Sequence, residues 1–360
     1  MLNTVRVDLG ERSYDIVIGP GLRQGLGEAC RRVLSGRRIF LVADATVNSL
    51  YGREVQAGLN AAGFEVVSAV VPAGEESKSS AQWSALHEQA AAAALDRRCG
   101  VVALGGGVVG DLAGFMAATY LRGVDFIQVP TTLLAMVDSA VGGKTGINLP
   151  QGKNLVGSFY QPRHVICDTE MLKSLSPREF SAGLAEVIKY GVIYDEPLFA
   201  HLEQQVANLA RNEAALADII ARSCAIKAEV VGQDERESGL RAILNFGHTL
   251  GHALEKVAGY GTFLHGEAVG VGMAFAARIS ARVQDLPADH VDRVVALIRK
   301  AGLPVQAPGL AWTALRQAME VDKKSSGGQP RFVLADRIGH VAWGCVVPES
   351  VLEEAWHAGS

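Results

Sequence analysis

At 360 residues and 38.0 kDa the chain exceeds one ordinary core and suits two domains. With 49% hydrophobic and 20% charged residues it is not intrinsically disordered. A net charge of -4, from 34 Lys plus Arg against 38 Asp plus Glu, argues against a dedicated nucleic-acid binder.

Alternation and turn residues predict a hairpin over 5–9 and 14–18, around a Gly-Glu-Arg-Ser turn. Arg6, Asp8, Glu11, Arg12 and Asp15 interrupt any signal-peptide core there. Strand-like runs follow at 38–43, 64–71, 100–104, 124–129 and 164–167. They end in Asp44, Pro72, a glycine cluster, Pro130 and Asp168 respectively, and helical patterns such as 80–95 lie between them. Strands alternating with helices predict a largely parallel sheet whose ligands bind at the carboxyl ends of strands.

The texture changes after about residue 170. Ser176-Pro177-Arg178-Glu179 supplies an N-cap serine, a proline at the first helical position and an acid. Helical periods then run over 177–190, 212–231, 241–257, 266–284, 289–301 and 311–320. A Gly327-Gly328 loop precedes a last hairpin, 331–335 with 340–347. The fold class is therefore α/β, with an N-terminal Rossmann-like domain over 1–173 and a mainly α-helical domain over 174–360. Five widely spaced cysteines without a C-x-x-C fit a reducing cytoplasm, and glycines and Asp111 break the most apolar stretch, 99–121, so a membrane span is not expected.

Gly105-Gly106-Gly107-Val108-Val109-Gly110 matches G-x-G-x-x-G between a strand and a helical pattern, where backbone amides approach a pyrophosphate. The acid that a Rossmann fingerprint places about 20 residues on is replaced by Pro130-Thr131-Thr132. This is a different nucleotide-binding arrangement or a tight structural turn. Asp44 is placed to hold ribose hydroxyls or to begin an ordinary turn. Gly142-Gly143-Lys144-Thr145 looks like a P-loop ending but lacks the Walker spacing, so a Walker ATPase is rejected. Lysines in the glycine loops Gly143-Lys144 and Gly152-Lys153-Asn154 suit a phosphate or carboxylate.

In Asn245-Phe246-Gly247-His248-Thr249-Leu250-Gly251-His252 the two histidines stand one helical turn apart. Thr249 takes the place of the glutamate of H-E-x-x-H, which disfavours a metalloprotease. His265-Gly266-Glu267 and Glu186, an acid within an apolar helical stretch, complete a His/His/Glu set of catalytic-zinc composition. Spacing leaves open whether His248, His252 or both join it. Lys227, Asp234-Glu235, Glu237, Arg241 and Asp322-Lys323-Lys324 read by default as helix-surface charge.

Taken together, these stretches resemble the 3-dehydroquinate synthase family. The likeness runs through 105–115 (GGGVVGDLAGF), Arg122-Gly123, 130–146 (PTTLLAMVDSAVGGKTG), 152–157 (GKNLVG) and 182–191 (AGLAEVIKYG). It continues through 234–241 (DERESGLR), 244–255 (LNFGHTLGHALE), 265–269 (HGEAV) and Asp322-Lys323-Lys324, with Met136 and Ala140 where Gln and Ser are often seen.

The resemblance implies an NAD- and zinc-dependent carbon–oxygen lyase of the shikimate pathway, with Co2+ as an alternative metal. It converts 3-deoxy-D-arabino-heptulosonate 7-phosphate (DAHP) to 3-dehydroquinate and phosphate, by transient oxidation, phosphate β-elimination, re-reduction and aldol closure. It assigns Glu186, His248 and His265 to the metal and His252 to acid/base work. NAD falls to Asp44, Glu75, Lys78, Gly106, Gly107, Val108, Val109, Asp111, Thr131, Thr132, Asp138, Lys144 and Lys153. The substrate carboxylate falls to Lys227, Arg241 and Asn245. The phosphate falls to Lys144, Asn154, one of Lys323 or Lys324, and Arg122, which reaches the neighbouring site of a homodimer. Lys189 and Glu237 complete the catalytic set. The rival readings are another sugar-phosphate cyclase, a metal-dependent alcohol or glycerol dehydrogenase, and a non-catalytic binding protein on the same fold. Neither a membrane nor a nucleic acid is expected as a partner.

Overall fold

A computed structural model of the chain describes residues 2–259, 261–321 and 329–358. Asp322, Lys323, Lys324 and the Gly327-Gly328 loop lie outside the described residues. Where the sequence leads one to expect a single cut after 173, the chain forms two compact units. The first is Met1–Leu175 with Glu213–Gly232, and the second is Ser176–Asn212 with Gln233–Ser360.

The first unit holds strands β1 (Asn3–Val7), β2 (Tyr14–Gly19), β3 (Arg38–Asp44), β4 (Glu65–Val71), β5 (Gly100–Gly105) and β6 (Asp125–Pro130). It also holds β7 (Lys144–Leu149), β8 (Gly152–Phe159) and β9 (His164–Asp168). Its helices are α1 (Leu26–Val33), the short α2 (Ala45–Val47), α3 (Arg53–Ala61), α4 (Ser80–Ala92) and α5 (Gly107–Thr119). Seven strands form one sheet in the order β1-β2-β9-β6-β5-β3-β4. Neighbours are parallel throughout, except for the β1–β2 hairpin at one edge. Helices cover both faces, so the central strands are apolar on both sides. Phe40, Val42, Val101 and Phe126 pack on one face; Ile39, Leu41, Val102 and Ile127 pack on the other. The chain passes outward from β3 to β4 and then returns to place β5 on the opposite side of β3. This reversal makes the carboxyl ends of β3 and β5 the topological switch point, where open parallel sheets bind ligands.

Two features differ from the pattern-based expectation. Lys144 and Gly152-Lys153-Asn154, read as parts of glycine loops, belong to the antiparallel pair β7–β8. The two strands meet through Gly146 and Gly157, where a Cβ on Gly157 would come within 2.0 Å of the Thr145 carbonyl oxygen. The helix α8 (Glu213–Gln233) belongs almost wholly to the first unit. Cys224 Sγ reaches the Met136 carbonyl at 3.2 Å, and Lys227 reaches Asp138.

The second unit contains α6 (Pro177–Ile193), α7 (Glu196–Gln205), α9 (His248–Val257), α10 (His265–Val283), α11 (Ala288–Lys300) and α12 (Trp312–Val321). The hairpin β10 (Phe332–Arg337) with β11 (His340–Cys345), and α13 (Glu349–His357), complete it. α6 begins as its sequence predicts, with Ser176 Oγ accepting from the Glu179 amide and Pro177 inside the first turn. The predicted helix 241–257 is two pieces, a 3-10 turn Leu240–Asn245 and then α9. Gly247 divides them with φ +80°, and a Cβ there would meet the Met273 amide nitrogen at 2.7 Å.

Candidate active site

The switch point of the first unit carries Asp44, at the end of β3, and the glycine turn that follows β5. β5 ends at Gly105, Gly106 is the N-cap of α5, and the amides of Gly107, Val108 and Val109 open its first turn, where they have no intrahelical acceptors. Close packing explains the spacing of the glycines: a Cβ on Gly110 would lie 2.7 Å from Gln128 Oε1, and one on Gly106 would lie 3.1 Å from Thr132 Cγ2. The Thr131 amide donates to the Gly105 carbonyl at 3.0 Å, placing Thr131-Thr132 beside the glycine turn. Asp44 ends β3 and caps α2, its Oδ1 accepting from the Thr46 and Val47 amides at 2.9 and 3.0 Å.

A polar network centred on the buried Lys78 adjoins this turn. Lys78 Nζ donates to Asp111 Oδ2 at 2.7 Å and to Asn154 Oδ1 at 2.5 Å. Burial pushes the Asp111 carboxyl above its usual range, and Lys78 opposes that rise. Asn148, which no sequence signal singled out, donates to Glu75 Oε1 at 2.8 Å and accepts from the Asn154 amide at 2.9 Å. Asn154 itself holds φ 56°, a left-handed conformation that the network maintains. Lys144 is exposed at the start of β7, and Lys153 is half-buried on β8. Lys227 Nζ donates to both the carbonyl oxygen and Oδ1 of Asp138, each at 2.7 Å. Arg122 follows Leu121 in consecutive left-handed conformations, φ 49° and 71°, on an exposed turn.

In the second unit three helices bring Glu186, His248 and His265 together. α6 and α10 touch through Gly266, and α9 meets α10 where Gly272 faces the Gly247 carbonyl; a Cβ at either glycine would fall 1.9 Å from a backbone oxygen. These contacts sit beside the two histidines. Arg178 forms a two-pronged bond to Glu267, whose Oε2 also accepts from the Leu264 amide, and so secures the first turn of α10.

Glu186 is fully buried, and its Oε2 is paired with Lys189. Its Oε1 lies 3.4 Å from His248 Nε2 and 3.5 Å from His265 Nε2, without a hydrogen bond of its own. Ligand atoms about 2.0–2.1 Å from a tetrahedral ion stand about 3.3–3.4 Å apart. The donor set thus fits a divalent metal in charge, chemistry and spacing. Burial alone would raise the Glu186 carboxyl, but Lys189 and His248 outweigh it and hold the group well below its usual range. Burial lowers the His248 ring below its usual value, and its Nδ1 faces the Phe246 carbonyl at 3.1 Å, the partner that directs Nε2 toward a metal. For His265, burial opposes the charge, yet Glu186 and Glu255 outweigh it and raise the ring to about 10 in the metal-free protein.

His252 is exposed on the same face of α9, its ring 5.5 Å from that of His248. Asn245 Nδ2 donates to Glu237 Oε1 at 2.8 Å. Arg241 is 1% exposed and donates to the Glu235 carbonyl. Asp234 organises this turn: Oδ1 accepts from the Ser238 amide, and Oδ2 accepts from the amides of Gly239 and Arg241. Those bonds hold its carboxyl down at about 2. The sequence alone reads Asp234 as surface charge. Glu255 carries no motif of its own, and its signal is the i, i+4, i+7 spacing that puts 248, 252 and 255 on one helix face.

Residues 68–182 match the model of the 3-dehydroquinate synthase N-terminal domain, and residues 183–325 match that of the C-terminal domain. A 3-dehydroquinate synthase of Picosynechococcus sp. is 51% identical over 94% of both chains. One from Geobacter metallireducens is 52% identical, again over 94% of each. The chain belongs to the 3-dehydroquinate synthase family. Among solved structures, 2-epi-5-epi-valiolone synthase from Streptomyces hygroscopicus, with NAD+ and Zn2+ bound, superposes with a TM-score of 0.90 at 30% identity, covering 98% of each chain. A 2-deoxy-scyllo-inosose synthase complexed with carbaglucose-6-phosphate, NAD+ and Co2+ reaches 0.90 at 28%, covering 99% of this chain and all of the other. A Schizosaccharomyces pombe glycerol dehydrogenase shares the fold alone, at 0.67 and 16% over 96% of this chain and 88% of its own. The high identity to synthases separates this chain from the dehydrogenase reading, and no helix among the described residues is long and apolar enough to cross a membrane.

Proposed function

We propose that the chain converts DAHP to 3-dehydroquinate and phosphate with NAD and a divalent metal, zinc or cobalt, as cofactors. The observation that carries the metal assignment is the Glu186 Oε1 atom, buried without a hydrogen bond and flanked by two histidine Nε2 atoms at tetrahedral ligand spacing. Glu186, His248 and His265 hold the metal. When bound, NAD supplies a hydride acceptor, and the metal supplies Lewis acidity toward the sugar hydroxyls.

The residues of the chain bind and orient. Gly106, Gly107, Val108 and Val109 offer amides to the pyrophosphate, and Asp44 holds ribose hydroxyls, its Oδ2 lying outside the two capping bonds. Glu75, Lys78, Asp111, Thr131, Thr132, Asp138, Lys144 and Lys153 complete the NAD set. Lys227, Arg241 and Asn245 take the substrate carboxylate, while Lys144, Asn154 and Arg122 take the phosphate. Anchoring both ends of one small anion lowers the entropy cost of alignment. His252, exposed beside the metal ligands, moves a proton, and Lys189 and Glu237 orient Glu186 and Asn245.

Homodimer formation is part of this reading, with Arg122 serving the neighbouring site. Leu155 and Phe159 on β8, 58% and 42% exposed, support it as apolar surface to be covered. Four of the five free cysteines are buried, in keeping with a cytoplasmic protein.

The test is to supply DAHP, zinc and substoichiometric NAD and to follow phosphate. Phosphate in excess of the NAD added is expected, because the overall reaction is redox-neutral. NADH accumulating in proportion to substrate without phosphate would overturn the assignment.

A further inference from the structure

We infer that Glu255 is a positioning residue for the metal, fixing the His265 ring so that Nε2 is presented beside Glu186. The inference rests on the proposed ligand set. His265 is the first residue of α10, and its side chain is 31% exposed, so core packing alone does not choose its rotamer or tautomer. Glu255 lies on α9 with its side chain almost wholly buried, and Oε2 faces His265 Nδ1 at 3.3 Å. The same ring presents Nε2 to Glu186 Oε1 at 3.5 Å. One imidazole thus spans two carboxylates. A carboxylate at Nδ1 accepts its N–H, which leaves the lone pair on Nε2 and makes that nitrogen more basic.

His248 has the same support from the Phe246 carbonyl, which no side-chain substitution removes. Glu255 is therefore where the device can be tested. The rival arrangement is direct ligation, since His252, Glu255 and His265 also place donor atoms within 4.8 Å of one another. In that arrangement His265 would offer Nδ1 to the ion, its proton would sit on Nε2 facing Glu186 Oε1 at 3.5 Å, and the buried His248 would take no part. The positioning reading instead uses the fully buried Glu186 carboxylate together with the Nε2 atoms of both His248 and His265.

The test measures metal affinity by chelator competition on the full chain loaded with Zn2+ or Co2+. Glu255→Ala is expected to weaken binding about 10- to 100-fold, the usual effect of losing such a partner. Glu255→Gln, whose amide oxygen accepts the same N–H, is expected to recover most of that loss and to keep the wild-type Co2+ absorption bands. Glu255→Gln also guards against misfolding, with thermal melts of both apo variants as the control. An affinity for Glu255→Ala within twofold of wild type would overturn the inference. So would Co2+ bands in Glu255→Gln displaced as they are in His265→Ala, which would mark Glu255 as a ligand. If Glu186→Gln and His265→Ala both bind metal like wild type, the ligand set itself falls, and this inference falls with it.

Discussion

Gly266 and Ala182 are in backbone contact: a Cβ at 266 would lie 1.9 Å from the Ala182 carbonyl oxygen. Ala182 stands one turn before Glu186 on α6, and Gly266 follows His265. The absence of a side chain at one position therefore sets the distance between a buried carboxylate and an imidazole.

Gly266→Ala should separate these helices. Overpacking of this kind costs roughly 1–3 kcal/mol, and the expected result is a lower melting temperature together with loss of bound metal after dialysis. Gly58→Ala on α3, where an added Cβ meets nothing within 4 Å, is the matched control and should be neutral or slightly stabilising.

Glu186→Ala and His248→Ala should both abolish metal content and activity. They should differ in stability, because Glu186→Ala removes the carboxylate paired with the buried Lys189 ammonium, and breaking a buried pair costs about 3–5 kcal/mol. Elemental analysis and thermal melts on the same samples would separate the two effects. Full metal content in both variants would refute the ligand assignment.

Lys78 and Asp111 should be strongly non-additive. Lys78→Met removes the ammonium that opposes the burial-driven rise of the Asp111 carboxyl, so it destabilises the fold and weakens NAD binding. Adding Asp111→Asn to it should restore part of the stability. A double-mutant cycle in urea should give a coupling of about 1–3 kcal/mol, and additive losses would show that the pair does not act as a unit.

Asp44→Ala removes a helix cap as well as the proposed ribose ligand, and the cap alone is worth about 1 kcal/mol. Asp44→Ser keeps a capping oxygen but no carboxylate. NAD affinity, read by fluorescence titration, should fall about tenfold or more in both variants, while the melting temperature should fall only in Asp44→Ala.

Asp234 supplies a pH signature. Its folded carboxyl titrates near 2 against an ordinary value of 3.8, so it contributes stability above about pH 4 and loses it as the pH falls toward 2. Asp234→Asn turns an amide toward the N–H groups that Oδ2 accepts from Gly239 and Arg241. The stability gap between wild type and Asp234→Asn should be largest at neutral pH and should close between pH 4 and 2. A gap that does not change with pH would refute the role. Because the same turn carries Arg241 and Asn245, KM for DAHP should rise more than kcat falls.

Much of this molecule is legible in one dimension. Unbroken apolar runs ending in Asp, Pro or Gly predict buried parallel strands, and the parallel strands of the seven-stranded sheet lie close to the predicted limits. Short polar elements are less legible. β7 and β8 are rich in glycine because the two strands approach closely at Gly146 and Gly157, and that composition also reads as loop. α7 and α13 are short and only partly apolar, so their periodicity stays below notice.

The family resemblance, the glycine turn and the His/His/Glu composition all follow from residue types and near-neighbour spacing. Spacing along α9 puts His248, His252 and Glu255 on one face but does not say which of them meets Glu186. That choice depends on how closely α6, α9 and α10 approach, which the backbone contacts at Gly247, Gly266 and Gly272 decide. The same holds for Lys227, whose helix lies beyond the apparent domain boundary yet pairs with Asp138 in the first unit. A helical repeat encodes which side chains share a face; only packing determines what that face meets.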